Sequence, residues 1–457
     1  MILKVSNNKI PQGWVECQLG EVFETSSGGT PKRGNPEYYQ NGTIPWIKSG
    51  ELNNSIIYSA EEFITEEGLN NSSAKIFPKG SLLIALYGAT VGKLGILDFD
   101  SATNQAVCCI YQNTYYDRNF LFYYLLLKKE YLVNQGKGGA QPNISQEIVK
   151  SLFIPFPPFN EQRRIVEKIE SEFAKIDEGL EHLEQAKEQI KQYRQSVLKS
   201  AFEGKLTQQN PDDESAEALL QKINPKAKFI HNDKLPQGWV ECLIKDIAKN
   251  IQYGYTESAN KDKIGPRFLR ITDIQNNNVN WDLVPYCKID DNIKSKYLLE
   301  NGDFVFARTG ATVGKSYLIE NLKEESVYAS YLIRIRFYDI SFTKYVKYYF
   351  QTSNYWNQIS ENKVGIGQPN VNGTVLSNLK IPFPPLQEQK QIVEEIEKRF
   401  AVADEVEKVV EDNIEKAKQL KQSILKKAFE GRLVPQDPTD EPASTLLEKI
   451  KQERNKK

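Results

Sequence analysis

The apolar positions of this chain follow two kinds of pattern that alternate twice. From about 11 to 152, short apolar runs such as Ser81-Leu-Leu-Ile-Ala-Leu-Tyr87 are separated by turns rich in Gly, Asn and Pro, which predicts a strand-rich or mixed α/β region. Within it Phe120–Tyr131 reads as the main helix, matched later by Phe342–Phe350. The period then changes. Ile169, Ile176, Leu183, Ile190 and Val197 recur every seven residues, with Phe173, Leu180 and Ala201 on the adjoining seam, and Gly179 alone interrupts the run before Gly204. Such a repeat predicts a long helix carrying a coiled-coil seam. Short apolar runs return from about 236 to 379, and a second seam follows: Ile396, Ala403, Val410, Ala417 and Ile424, with Phe400, Ile414 and Ala428. At 1.5 Å per residue, a run of about 42 residues gives a helix about 63 Å long, beyond any ordinary domain helix.

The second half repeats the first. Ile10-Pro-Gln-Gly-Trp-Val-Glu-Cys17 returns as Leu235-Pro-Gln-Gly-Trp-Val-Glu-Cys242, an internal duplication of about 225 residues. Each strand-rich block closes with the same segment, Ile154-Pro-Phe-Pro-Pro158 and Ile381-Pro-Phe-Pro-Pro385, whose prolines exclude helix and pre-order an extended exit. Residues 154–170 and 381–397 agree at 12 of 17 positions. Both long helices end alike, in Ala201-Phe-Glu-Gly-Lys-Leu206 and Ala428-Phe-Glu-Gly-Arg-Leu433, where the Gly reads as a C-cap; small amphipathic helices follow at Ala216–Ile223 and Ala443–Ile450. The first seam is rich in Ile and Leu and the second in Ala, so antiparallel pairing within one chain would set large side chains against small. Homodimerisation through two separate helices is the alternative.

Composition narrows the picture only slightly. The 457 residues, 40% hydrophobic and 26% charged, suit two to four folded domains. Net charge is -1, with 13 Lys/Arg against 14 Asp/Glu over 1–150 and 18 against 16 over 233–377, so neither block is a basic domain. Nucleic-acid binding would have to come from local cationic tracks or from a partner. Five cysteines without Cys-x-x-Cys spacing and only two histidines, His182 and His231, leave no metal-site pattern. The opening residues lack a signal peptide's apolar stretch, and no run of 18 apolar residues occurs, so a cytoplasmic protein without membrane contact is expected.

Catalytic motifs fail on inspection. Gly88-Ala-Thr-Val-Gly-Lys93 and Gly310-Ala-Thr-Val-Gly-Lys315 resemble phosphate-binding loops but are one residue short before the Gly-Lys. There is no Gly-rich turn suited to S-adenosylmethionine and no Asn-Pro-Pro-Tyr or Asp-Pro-Pro-Tyr element, so no catalytic residue and no metal ligand is expected. What recurs instead is polar and loop-borne. Each block ends in a Gly/Gln/Asn loop, Lys137-Gly-Gly-Ala-Gln-Pro-Asn143 and Val364-Gly-Ile-Gly-Gln-Pro-Asn370. Gln and Asn can offer a donor and an acceptor side by side to a base edge, while Lys suits phosphate; tight-turn formation is the blander explanation. Other loops diverge: Gly28-Gly-Thr-Pro-Lys-Arg-Gly34 and Trp46-Ile-Lys-Ser49 have no close counterpart in Gln252-Tyr-Gly-Tyr-Thr256 or Arg267-Phe-Leu-Arg-Ile-Thr-Asp273.

The Pro-Gln-Gly-Trp openings, the Ile-Pro-Phe-Pro-Pro segments followed by Glu-Gln and Ile-Val-Glu, and the Ala-Phe-Glu-Gly endings, each present twice and in order, resemble the specificity (S) subunits of type I restriction-modification enzymes over essentially the whole chain. The resemblance implies a mixed α/β fold with two globular target recognition domains joined by two long antiparallel coiled-coil helices, in an internal pseudo-two-fold repeat. It places recognition domains at 1–153 and 236–380, the proline segment and spacer helix at 154–206 and 381–433, a short helix and linker at 207–235 and a terminal helix at 434–457. It also implies a non-catalytic subunit that reads a bipartite, asymmetric target in double-stranded DNA and binds no cofactor itself. Its partners would be two modification subunits using S-adenosylmethionine and restriction subunits using ATP and Mg. A docking scaffold that reads no sequence is the competing possibility. Base contacts do not transfer by motif in this family, so side-chain chemistry selects the candidates: Lys32, Arg33, Lys48, Thr90, Lys93, Lys137, Gln141 and Asn143 in the first block, and Tyr255, Arg267, Arg270, Arg308, Thr312, Lys315, Lys363, Gln368 and Asn370 in the second.

Overall fold

A computed structural model describes residues 10–135, 143–275, 278–362 and 370–455. The chain divides into two compact units, one of Met1–Leu183 with Asp412–Lys457 and the other of Glu184–Glu411. Each unit therefore contains part of both long helices.

In the first unit the opening strand Val15–Gln18 pairs antiparallel with Phe153–Phe156. The proline segment is thus a zipped strand as well as an extended exit: Pro155 lies opposite Glu16, and its carbonyl accepts from the Tyr116 hydroxyl at 2.7 Å. A five-stranded sheet runs in the order Thr25–Ser27, Val107–Ile110, Leu82–Ala85, Leu94–Leu97, Ser55–Ile57, and a four-stranded sheet in the order Glu62–Ile64, Ile44–Ile47, Ser101–Thr103, Ile76–Phe77. The helix expected over Phe120–Tyr131 is instead two helices, Arg118–Leu127 and Lys129–Gln135. Lys128 closes the first with a ψ near zero, a local backbone change that hydrophobic periodicity does not reveal.

The second unit has the same opening arrangement. Val240–Leu243 pairs with Lys380–Phe383, and the Pro382 carbonyl accepts from the Tyr345 hydroxyl at 2.8 Å. Its four-stranded antiparallel sheet runs Ala248–Tyr253, Leu332–Phe337, Phe304–Ala307, Ser316–Leu318. The segment 342–350 forms a short 3-10 turn ending at Phe342 and then the helix Thr343–Tyr349.

The long helices are Phe159–Phe202 and Leu386–Phe429, 44 residues each. All the seam positions named above are buried or half-buried, whereas the off-seam Val402, Val406 and Leu420 are exposed. The helices lie antiparallel inside each unit. In the first, Asp177 pairs with Lys421, whose ammonium also lies 4.8 Å from the Phe173 ring. In the second, Lys187 pairs with Glu411 at 3.2 Å and Arg194 with Asp404 at 2.6 Å and Glu407 at 2.9 Å, so one number rises as the other falls.

The repeated motifs converge at one junction per unit. Gly204, with φ +67°, ends the first long helix where the Lys205 N–H bonds the Ser200 carbonyl at 2.8 Å, and a Cβ on it would fall 2.1 Å from Pro236 Cγ. Gly431, with φ +66°, ends the second helix in the same way against Pro11, at 2.3 Å. Glycine is required at both for the left-handed backbone and for the close approach. The preceding Phe202 stacks on Tyr345 and Tyr349, and Phe429 on Phe120 and Tyr124, with centroids 4.9–5.3 Å apart. Each helix thus closes on the opening motif of the other half of the sequence.

Candidate nucleic-acid interface

The two Gly-Ala-Thr-Val-Gly-Lys turns are hairpin ends, not phosphate loops. Gly88–Thr90 and Gly310–Thr312 are single 3-10 turns between antiparallel strands, and Gly92 and Gly314 return their N–H groups to Ala85 and Ala307. A phosphate loop requires a helix after the turn, with free N–H groups facing the anion, and here a strand follows. Thr90, Lys93 and Thr312 are half-buried and Lys315 is exposed; neither lysine side chain has a bonding partner among the described residues.

The divergent loops bring some candidates together. In the first unit Arg33 and Lys48 meet at one carboxylate, Glu62, at 2.5 and 3.0 Å, and Lys48 also reaches Glu61 at 3.1 Å. The Arg33 guanidinium lies 4.6 Å from the Trp46 ring and 4.8 Å from that of Tyr39. Arg33, then its own burial acting in opposition, then Lys48 set the Glu62 carboxyl, with a net displacement below its usual range; hydrogen bonds to Glu62 and Glu61 hold Lys48 above the usual lysine range. Both cations are therefore partly neutralised in the free protein. The loop carrying Arg33 is itself pinned: Trp46 Nε1 donates to the Gly29 carbonyl at 3.0 Å, and Cβ atoms at Gly28 and Gly29 would fall within 2.3 Å of Thr103 and of the Ser73–Ala74 backbone. Lys32, beside it, is exposed and has no side-chain partner among the described residues.

In the second unit Arg267 donates to the Val284 carbonyl at 2.7 Å, pairs with Glu324 at 3.5 Å and stacks 4.4 Å from Tyr286. Arg270 forms a two-pronged bond with Asp273 at 2.7 and 3.1 Å, which raises the guanidinium further above its usual range. The Tyr255 ring packs 5.3 Å from that of Tyr297. Arg308 differs: it is half-buried, its guanidinium lies 5.0 Å from the Tyr253 ring, and its Nε is buried without a hydrogen-bond partner. Asn370 pairs with Thr309 across a β-bridge, and its Oδ1 is likewise buried without a partner. By that register Asn370 and Arg308 lie on opposite sides of the paired segments. Asn143 is exposed. Lys137, Gln141, Lys363 and Gln368 lie outside the described residues.

Sequence reasoning missed Tyr253, which sits in the quoted Gln252-Tyr-Gly-Tyr-Thr256 stretch. It also missed Tyr331, 62% exposed, whose carbonyl accepts from the Arg308 N–H at 3.1 Å. A tyrosine in a Gly-flanked polar stretch was the available signal for the first. The missing acidic partners Glu61, Glu62, Asp273 and Glu324 left none that would single them out from other surface carboxylates.

Among the described residues, no three of His, Cys, Asp or Glu gather into a metal site and no helix is long and apolar enough to cross a membrane. Burial pushes the Cys17, Cys108 and Cys109 thiols up to about 12, so they stay protonated at neutral pH.

Residues 11–192 and 236–416 each match the type I restriction modification DNA specificity domain. The chain is 26% identical to the type I restriction enzyme EcoKI specificity subunit of Escherichia coli K12, covering 98% of this chain and 97% of that one. It is 24% identical to the MjaVIII specificity subunit of Methanocaldococcus jannaschii, covering 91% and 93%. Among solved structures, one from work on complex assembly and conformational transition of the type I R-M system superposes with a TM-score of 0.69 at 21% identity, covering 93% of this chain and 99% of that chain. The HsdS subunit of Thermoanaerobacter tengcongensis has the same identity and coverage, with a TM-score of 0.51.

Proposed function

This chain belongs to the type I restriction modification DNA specificity family, and on that premise we propose that it is the non-catalytic subunit giving such a complex its DNA target. Residues 1–153 and 236–380 act as target recognition domains, each reading one half of a bipartite, asymmetric site in double-stranded DNA. The long helices set the unspecified gap between the half-sites. The repeated junctions dock two modification subunits, which supply S-adenosylmethionine chemistry, and restriction subunits using ATP and Mg join through the complex. Partner subunits contribute much of the phosphate neutralisation that this chain, with its net charge of -1, does not provide.

The observation that carries the reading is a frame repeated twice with unlike loops on it. The opening strand, proline strand, Gly cap and buried helix start recur in both halves, while Arg33 has no counterpart in the second half, Lys48 is replaced by Arg270 at the cap of the same 3-10 turn, and Arg308 stands where the first has Leu86. A duplicated frame suits two like protein partners, and unlike loops suit two unlike DNA sequences. On this reading Lys32, Thr90, Lys93 and Asn143 in the first unit, and Thr312 and Lys315 in the second, face DNA, whereas Asn370, on the far side of the paired segments from Arg308, does not. Arg33, Lys48, Arg267 and Arg270 mainly shape the loops or exchange partners on binding.

The test is the methylation pattern that the complex with its modification subunits leaves on a randomised DNA library. A two-part motif with a fixed gap is expected. A continuous palindrome, or methylation without sequence preference, would reject the proposal.

A further inference from the structure

Most arginines of the second unit are already committed. Arg194, Arg267, Arg270, Arg336 and Arg399 each hold a carboxylate, and Arg334 bonds the Leu298 carbonyl and the side chains of Asn250 and Gln252. Arg308 is the exception among the described residues: no hydrogen bond occupies its guanidinium, and no carboxylate pairs with it. It is nonetheless held in place. Its N–H bonds the Tyr331 carbonyl at 3.1 Å, its carbonyl accepts from Val371 at 2.9 Å, and its guanidinium lies against Tyr253. The Tyr253 hydroxyl accepts in turn from the Gly373 N–H at 2.9 Å.

The first unit has the same backbone frame at this place with different chemistry. The Leu86 carbonyl accepts from Ile144 at 3.0 Å, as that of Arg308 does from Val371. Ser27, Cys108 and Ile84 line up across the sheet two residues before Leu86, as Tyr253, Ile333 and Phe306 do before Arg308. Ser27 donates to Gln146 at 3.0 Å, and Gln146 occupies the place of Gly373. The trio Leu86, Ser27 and Gln146 is thus closed and self-satisfied, whereas Arg308, Tyr253 and Gly373 leave an unpaired fork. The three differences depend on one another. A Cβ at 373 would already touch the Tyr253 ring at 3.6 Å, so a side chain as long as Gln146 there would displace the ring that holds the arginine.

We propose that Arg308 reads a guanine in the half-site recognised by the second unit, with Tyr253 as its positioning residue, and that the first unit has no equivalent contact. This rests on the DNA-reading function proposed above. A guanidinium fork places two donors at the spacing of guanine N7 and O6 in the major groove, and no other base edge offers two adjacent acceptors there. Stacking on a tethered ring restricts the fork before binding, so less freedom is lost on contact. Lysine supplies a point charge to either a phosphate or a base, whereas only the planar guanidinium holds two parallel donors in fixed geometry.

The test compares the complex containing the wild-type chain with complexes containing Arg308→Lys, Arg308→Ala and Tyr253→Leu, each scored by the methylated motif selected from random DNA. The wild type should require a guanine at one position of one half-site. Arg308→Lys and Arg308→Ala should each reduce that preference roughly 10-fold or more, leaving the other half-site and the gap unchanged, and Tyr253→Leu should weaken the same position. Arg308→Lys keeps the charge and most of the length but not the fork, so it remains informative if the alanine variant does not assemble. Rescue of full preference by lysine, or equal weakening at every position, would overturn the inference while the two-part wild-type motif still stood. A wild-type complex without any motif would overturn the proposed function itself.

Discussion

Two buried glutamates, one at the start of each long helix, show how unlike a repeated residue can be in its two settings. Glu388 is fully hydrogen-bonded, accepting from Trp239 Nε1 at 2.7 Å, from Gln209 at 2.9 Å and from Thr207 at 3.1 Å. Glu161 has an Oε1 with no partner, and Trp14 Nε1 is likewise unbonded; Val434 stands where the other copy has Thr207 and cannot donate. Burial therefore raises the Glu161 carboxyl above its ordinary range, outweighing the opposing pull of the nearby Arg164 guanidinium. An acid raised by folding favours the native state below the unfolded carboxylate range, and that contribution disappears as pH rises through the raised value. Glu161→Gln should accordingly melt like the wild type near pH 4 and at a higher temperature near pH 7; a difference independent of pH would show that ionisation is not the cause. The same scale limited what could be read about the candidate cations. Charge balance was visible in the residues, but which cation sat on which carboxylate was not, because Glu62 and Glu324 are 29 and 57 residues from Arg33 and Arg267.

Elements were more legible, since they depend on local periodicity and capping. The heptad seams, the Gly caps and the helix Ala216–Ile223 all follow from spacing and residue type. The proline segments read correctly as extended, but their pairing with the opening strands, about 140 residues away, could not be inferred from composition. The terminal elements also have a role that their position conceals. The Ala443 N–H bonds the Gly13 carbonyl at 3.2 Å, Gln436 bonds the Gln12 carbonyl at 2.9 Å, and Arg164 pairs with Asp440 at 2.6 Å, so the last segment of the chain completes the first unit. Removing residues 428–457 should therefore expose the strand Val15–Gln18 to amide exchange while Val240–Leu243 stays protected. Equal loss in both strands, or none, would contradict that assignment. The loss should be large, because it removes Phe429 from its contacts with Phe120 and Tyr124 together with the buried Ala428, Ala443, Leu446 and Ile450.

For the whole molecule, the proposed role of the helices as a spacer makes a metric prediction. One heptad added to each helix, near residues 183 and 411, keeps both seams in register and lengthens each helix by about 10.5 Å. At about 3.4 Å per base pair the gap in the methylated motif should grow by about 3 base pairs with both half-motifs intact. An unchanged gap would remove the helices from that role, and a heptad in one helix alone should disrupt assembly by misaligning the seam. The sequence by itself determined the duplication, the long seamed helices and their caps, and the family, because these are carried by spacing along a covalent chain. Only the tertiary structure decided that Gly204 closes against Pro236 and Gly431 against Pro11, that Arg33 and Lys48 share Glu62, and that Arg308 remains unpaired against Tyr253. Those outcomes depend on close packing and on hydrogen bonds near 3 Å between residues far apart in the chain, and periodicity along the sequence carries no information about such distances.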